Sequence, residues 1–156
     1  MEFYRVLDTL PTRWRCYYVT LTLTGLRLEE LCELQPEDLD HEARAIRVKT
    51  PSGSRTIYVA EEFWHWVMAS VPLSFTRSHV RDLWNAAVER SGLKGVHLSD
   101  LRRLRSKLLA EAKDRRGLRL VGDEAQEEAR LLVVALPVLA LTEDQARRLM
   151  LREVRG

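Results

Sequence analysis

The feature that most constrains the fold is the largely apolar stretch at residues 13–24, which reads RWRCYYVTLTLT. Its length suits a helix of about three turns, and a helix that is apolar on most sides has to be covered by other elements. Gly25 follows it, and glycine is the residue type that most often ends a helix. The sequence therefore predicts a buried helix over 13–24.

Hydrophobic spacing and turn residues predict the other elements. Segments 44–49 and 55–59 alternate polar and apolar side chains around a turn at 51–53, which is typical of a β-hairpin. Helices are predicted at 2–9, 28–34, 60–70, 76–91, 99–113, 124–136 and 143–153, the last one capped by Thr142. We expect an α+β fold, a mostly helical domain with a small antiparallel β-sheet, forming a single domain over residues 1–156.

Composition excludes several classes of protein. The chain has 156 residues, of which 46% are hydrophobic and 31% charged, and this balance is typical of a folded domain. The longest apolar run, Leu131 to Leu141, is shorter than the roughly 18 residues a membrane span needs, and Pro137 interrupts it. Its predicted role is a core helix. Asp8 and Arg13 interrupt any signal-peptide core at the N-terminus. We expect a cytoplasmic protein without a membrane partner.

Motifs for cofactor, metal and hydrolase chemistry are absent from the sequence. It contains no GxGxxG, no P-loop, no HExxH and no GxSxG segment. The four histidines are scattered and are interpreted as ordinary surface or core residues. Cys16 and Cys32 lack metal-like spacing, which favours buried, reduced thiols. We expect no cofactor, no metal and no small-molecule substrate.

Positive charge is concentrated in one segment. Residues 96–119 carry 8 basic and 3 acidic side chains, within a chain whose net charge is +2. A confined basic stretch suits contact with phosphates, although a solvated helix face would have the same composition. The chain has 21 Arg, 4 Lys and one Asn, which favours a thermophilic source or a GC-rich coding bias.

Four segments stand in a characteristic order. They read TGLRLEELCEL from Thr24 to Leu34, PEDLD at 36–40, IRVKTPSGSRTIYV at 46–59 and SDLRR at 99–103. In this order and spacing, residues 2–113 resemble the catalytic domain of the tyrosine recombinase (phage integrase) family. The TGLRxxEL segment is fairly specific, whereas SDLRR alone would mean little.

The resemblance implies a site for a DNA phosphodiester. In that family two arginines hold the non-bridging oxygens, a lysine protonates the leaving oxygen, histidines assist and a tyrosine attacks phosphorus. Arg27 stands at the first arginine position and Arg102 at the second. Ser99 replaces the first histidine of the HxLRH motif, and Arg103 stands where the second would be.

The remaining catalytic positions depart from the family pattern. Pro51 occupies the lysine position of the hairpin, and Lys49 lies two residues away. The C-terminal LGH segment reads LPV at 136–138, and no tyrosine follows Tyr58. Residues 146–150 read ARRLM, so the expected place of the nucleophile holds no group that could attack a phosphate. The resemblance therefore implies a remnant phosphate pocket and no intact catalytic residue.

These departures favour a DNA-binding protein derived from a recombinase of a mobile element, virus or plasmid, without strand cleavage. The expected DNA contacts are Arg27, Lys49, Arg102, Arg103 and Lys107. One alternative is a recombinase subunit that receives its tyrosine in trans from a full-length recombinase. Another is a protein–protein interaction module, which would pair with itself or a partner. The resemblance also implies that the family's N-terminal core-binding domain is absent, which would lower DNA affinity.

The same residues allow ordinary structural interpretations. Arg27 after a glycine also suits a surface arginine near a helix start, and Arg102 one of several on a basic helix. The tryptophans at 14, 64, 66 and 84 are predicted as core or half-buried anchors. The tyrosines at 17 and 18 are predicted to be buried in the 13–24 helix. Leucines 101, 104 and 108 with Ala112 are predicted to face the core, and Arg103 and Lys107 the solvent.

Overall fold

The computed structural model describes residues 2–116, 124–140, 144, 145, 147 and 148. Its helices are α1 (Glu2–Asp8), α2 (Thr12–Thr24), α3 (Leu28–Glu33), α4 (Trp64–Ser70), α5 (Arg77–Arg90), α6 (Asp100–Arg116) and α7 (Glu124–Ala135). Its strands are β1 (Leu39–Asp40), β2 (Ala45–Thr50) and β3 (Gly53–Tyr58). Short 3-10 helices lie at 36–38, 61–63 and 137–139. Thr142 and most of the predicted 143–153 helix lie outside the described residues.

Helix α2 is buried along most of its length, as the sequence predicts. It is buried from Cys16 to Thr24 and packs against α4 and α6. Its threonine hydroxyls are satisfied, because Thr22 and Thr24 donate to carbonyls one turn back, at 2.9 and 2.7 Å, and Thr20 bonds the Trp66 carbonyl at 3.1 Å. A helix with polar hydroxyls can therefore be fully covered without unpaired polar groups.

The sheet is larger than the predicted hairpin. Strands β1, β2 and β3 form an antiparallel sheet in that order, and β1 pairs Leu39 with Ile46. Strand β1 was not predicted, because two residues are too few for an alternating pattern. Strand β3 also starts earlier than expected: Gly53 pairs with Thr50, so that only Pro51 and Ser52 form the turn.

The predicted core side chains are largely confirmed. Trp64, Trp66 and Trp84 are buried, and Trp14 is half-buried against the edge of the Phe75 ring. The buried side chains of α6 are Leu101, Leu108, Leu109 and Ala112. Leu104 is only partly buried. It lies at the edge of the core rather than inside it, which corrects the prediction for that residue.

The described part of the predicted apolar run, residues 131–140, is mainly a core element. Leu131, Leu132 and Leu136 are buried, and α7 ends at Ala135, just before Pro137 begins a 3-10 turn. Val138 is 75% exposed, because the turn directs it away from the core. Among the described residues, no helix is both long and apolar enough to cross a bilayer. The observed architecture confirms the predicted α+β class.

Candidate functional site

A cleft of about 430 Å³ opens where the α2–α3 loop meets α5 and the start of α6. The polar residues of its lining are Arg27, Glu29, Arg81, Asn85, His97, Ser99 and Arg102, and leucines at 21, 26, 28, 98 and 101 form the rest. The structure thus brings together three of the predicted site residues, Arg27, Ser99 and Arg102. Arg27 is more than 70 residues away from Ser99 and Arg102 along the chain, and it meets them only because α6 packs against α2.

Arg27 is the residue immediately before α3 and has an extended backbone, with φ −75° and ψ 152°. Its backbone N–H donates to Glu30 Oε1 at 2.9 Å, which is the Glu half of a capping box. Its side chain is exposed, and no carboxylate of the described residues lies within ion-pairing distance of its guanidinium. The backbone is therefore fixed, while the charge remains available to an external anion.

Glu30 joins this loop to the sheet. Arg55 of β3 approaches it with both terminal nitrogens, each at 3.0 Å from one carboxylate oxygen. Burial raises the pKa of Glu30, but the Arg27 N–H and the Arg55 guanidinium outweigh burial, so that the pKa lies below its ordinary value. Glu30 is therefore an ionised structural anchor rather than an acid–base group of the cleft.

Arg102 lies in the first turn of α6 and caps the end of another helix. Its Nε donates to the Gly25 carbonyl at 3.0 Å, and Arg105 Nε donates to the Leu23 carbonyl at 3.1 Å. The last turn of α2 contains no basic residue of its own, and terminal carbonyls of a helix need donors and favour cations. Arg102 remains exposed and, within the described chain, has no carboxylate partner. It thus positions the α2 end and also contributes charge to the cleft.

Arg105 is turned away from the cleft. Burial lowers its pKa, and Glu128 of α7 opposes that shift; the Arg105 Nη2–Glu128 Oε2 distance is 3.8 Å. Glu128 also accepts from Lys113 at 2.8 Å. Two of the basic residues of the 96–119 segment are therefore occupied in holding α7 onto α6.

Four polar cleft residues were not among the sequence candidates. Arg81 and Asn85 come from α5, Glu29 from α3, and His97 from the loop before α6. The sequence contained a signal for the α5 pair, since Arg77, Arg81 and Asn85 recur every fourth residue and so share a helix face. His97, interpreted as an ordinary histidine, is exposed at the rim, and its backbone N–H donates to Asp100 at 2.8 Å.

Lys49 does not line the cleft. Its cross-strand partner is Ser54, while its neighbour Val48 pairs with Arg55. Successive side chains of a strand point to opposite faces, so that Lys49 is on the face opposite to Arg55 and Glu30. The fold therefore keeps Lys49 out of the lining of the cleft that contains Arg27 and Arg102, and the lysine position of the resemblance is held by Pro51.

Arg103 and Lys107 lie at a different cleft, on another side of α6. This second cleft measures about 620 Å³ and also contains Lys94. Both residues are exposed, as predicted, and Arg103 is 3.6 Å from Asp100. The described part of the basic segment is therefore divided between two clefts: Arg102 lines the first and Arg103 the second.

Among the described residues that line the first cleft there is no tyrosine. Tyr17 and Tyr18 are buried in α2, as predicted. The Tyr18 hydroxyl donates to the Val80 carbonyl at 2.7 Å, and burial raises its pKa well above the ordinary value. Tyr58 borders a separate pocket beside β2. The described residues also include no group of acidic, histidine or cysteine side chains that could hold a metal.

The cleft can therefore hold an anion, and its described residues include no phenolate nucleophile. Arg27 and Arg102 present guanidinium groups, whose forks bind phosphate oxygens well. Arg81 adds a third cation, which Glu29 partly neutralises. Ser99, Asn85 and His97 supply further hydrogen-bonding groups.

Solved structures with a similar fold include an integrase and a recombinase. The integrase from mycobacterium phage Brujita superposes with a TM-score of 0.61 and 20% identity, over 96% of this chain and 54% of the integrase chain. A XerA recombinase superposes with a TM-score of 0.53 and 19% identity, over 99% of this chain and 63% of the recombinase chain. This chain thus spans between half and two thirds of each of them. No protein-family model and no curated protein sequence matches it.

Proposed function

We propose that this chain is a DNA-binding domain of tyrosine recombinase descent, which holds a backbone phosphate of duplex DNA in the first cleft and does not cut the strand. The observation that carries the proposal is the convergence of Arg27 and Arg102 on one cleft, each without a carboxylate partner in the described chain. The similar folds of an integrase and a recombinase support the same class of ligand.

Phosphate contacts would supply most of the affinity. Each phosphate neutralised by an arginine releases condensed counterions, and so the affinity falls by about 0.9 log unit per log unit of salt for each contact. Such contacts position a protein on the duplex and carry no sequence information. We therefore expect salt-sensitive binding with weak sequence selectivity. Arg103 and Lys107 would add a second set of phosphate contacts beside the second cleft.

Three departures argue against strand cleavage by the chain alone. The cleft has Ser99 in place of a histidine, and its lining does not include Lys49, which lies on the opposite face of the sheet from Arg55. No tyrosine follows Tyr58 in the sequence. A tyrosine supplied in trans by a complete recombinase is the alternative, which a cleavage assay with added recombinase tests.

The binding proposal is tested by measuring duplex affinity at several salt concentrations for wild type, Arg27→Ala and Arg102→Lys. Both variants should weaken binding, and Arg27→Ala should lower the salt slope by about 0.9. Lysine at 102 keeps the charge and removes the planar fork, so that it should bind more weakly with little change in slope.

A matched control is Arg90→Ala, which removes the same charge from the far end of α5, where Arg90 bonds the Thr9 carbonyl. It should bind DNA much as wild type does. Arg103→Ala combined with Lys107→Ala should weaken all duplex sequences alike. Equal affinities for wild type and the Arg27 and Arg102 variants would refute the phosphate cleft, and unmeasurable binding by all of them would favour the protein-interaction alternative.

A further inference from the structure

Glu29 is the one carboxylate among the described residues that line the first cleft. Its Oε1 lies 3.5 Å from Arg77 Nη1 and 3.3 Å from Arg81 Nη2, both on α5. The two arginines are one helical turn apart and face the same way. A single carboxylate therefore neutralises part of two cations at the edge of an otherwise basic cleft.

This cluster is open to solvent. The side chains of Arg77 and Arg81 are 58% and 57% exposed, and that of Glu29 is 44% exposed. Exposed ion pairs contribute little to stability, because water and salt screen them and the long side chains lose entropy when fixed. An external anion can therefore displace the carboxylate without opening the core.

We infer that Glu29 occupies, in the DNA-free protein, the place that a DNA backbone phosphate takes on Arg77 and Arg81. The inference rests on the proposed function. It extends the duplex interface from the first cleft along α5, and it makes Glu29 an internal competitor that limits the affinity of the protein.

Charge and distance together make Glu29 a competitor of phosphate. A phosphate that reaches Arg81 has to displace a carboxylate already at 3.3 Å, and the displaced Glu29 remains close enough to repel it. Arginines that are already paired with a carboxylate do not contribute fully to counterion release on DNA. Neither Arg27 nor Arg102 forms an ion pair with a carboxylate within the described chain, so direct displacement of an ion pair concerns the α5 side of the interface.

The experiment is Glu29→Gln, which keeps the size of the side chain and removes its charge. Duplex affinity is measured against salt concentration by fluorescence anisotropy with a short labelled duplex. We expect about three- to tenfold tighter binding at low salt, the scale of one or two exposed ion pairs. The salt slope should become steeper by up to about 0.9 for each phosphate newly contacted.

Two further variants separate direct competition from a general effect of charge. Glu33→Gln removes a negative charge from the same helix, one turn away, at an exposed residue that does not line the cleft, and it should change affinity far less. In a background with Arg77→Ala and Arg81→Ala, Glu29→Gln should lose its gain.

The possible failures are distinguishable. If wild type binds with a salt dependence and Glu29→Gln binds identically, or if Glu33→Gln gains as much, the competition is refuted while the proposed function stands. Absence of salt-dependent binding in both wild type and Glu29→Gln would refute the proposed function, and the inference with it. Tighter binding that persists without Arg77 and Arg81 would also overturn the inference.

Discussion

Gly25 combines two constraints at one residue. It ends α2 in the left-handed region, with φ +69°, and a Cβ built there would lie 3.3 Å from Arg105 Cδ. Its carbonyl also accepts the Arg102 hydrogen bond. The TGLR segment therefore needs glycine at residue 25 for the backbone conformation. The Gly25 carbonyl also has to stay beside α6, because it holds Arg102 at the cleft.

We expect Gly25→Ala to lower the free energy of unfolding by about 1–2 kcal/mol, the cost of placing a Cβ in the left-handed region. It should also weaken DNA binding, since Arg102 is anchored on the shifted carbonyl. Urea denaturation and duplex titration measure the two effects. Gly92→Ala is the control: its φ is +79° and nothing lies within 4 Å of an added Cβ, so that it should lose stability without losing affinity.

Site residues could be predicted where a local motif marks them, and they were missed where only tertiary packing brings them together. Arg27, Ser99 and Arg102 were found through local motifs, and the structure brings them to one cleft. Arg81 and Glu29 were missed, because their pairing joins residues 52 positions apart and depends on how α5 packs against α3. No local spacing contains that information.

At the scale of elements, the sheet and α3 are joined through Glu30 and Arg55. The Glu30 side chain is only 18% exposed, and its contact with Arg55 is bidentate. The same carboxylate receives the Arg27 N–H, and so one anion fixes both the start of α3 and the position of β3. Neutralising the carboxylate of such a pair lowers the free energy of unfolding of the protein.

This arrangement predicts a pH dependence. The pKa of Glu30 is lowered by folding, so that its contribution is present above the ordinary value of about 4.3 and disappears as the pH falls through the folded value. Glu30→Gln should cost about 2 kcal/mol at neutral pH, and the difference from wild type should shrink below about pH 4.

Urea midpoints of the two proteins across the acid range measure this effect. Glu61→Gln serves as the control, because Glu61 is 79% exposed and lies 3.8 Å from Arg44; it should change stability by only a few tenths of a kcal/mol. A Glu30→Gln deficit that stays constant down to pH 3 would show that the carboxylate charge does not carry the contribution.

Elements were predicted best where a pattern extended over several turns. The α2 helix, ending before Gly25, and the α5 helix, started by the Thr76 hydroxyl, follow from apolar content and capping. Strand β1 could not be predicted from alternation, because its two residues exist as a strand only through pairing with β2. The face that Lys49 occupies could not be predicted for a similar reason, since the register of β2 with β3 decides it.

At the scale of the whole molecule, we expect no strand cleavage. The chain alone should neither nick nor relax supercoiled DNA and should form no covalent DNA adduct, because several groups that the reaction needs are replaced or displaced together. Gel analysis of plasmid topology and denaturing gels of labelled duplex measure these outcomes. A protein–DNA adduct that survives denaturation would contradict the expectation, and mass spectrometry would identify the attached residue.

Positive charge is distributed over the molecule by packing rather than by sequence order. The 96–119 segment appears as one basic block in the sequence, yet Arg105 and Lys113 are bound to Glu128 of α7. Arg102 and Arg103 face different clefts. The number of basic residues in this segment therefore overestimates how many of them are available to phosphates. Arg81 lies outside the segment, yet it lines the first cleft.

The double use of Arg102 has a consequence for how this protein would diverge over time. Arg102 holds the end of α2 as well as facing the cleft, and so selection for a stable fold would retain it even in a lineage that no longer bound DNA. Arg27 has an exposed side chain that forms no ion pair in the described chain, so that its retention would depend more on the proposed ligand than that of Arg102. Among descendants, replacement of Arg27 while Arg102 persists would therefore mark the lineages in which the interface had fallen out of use.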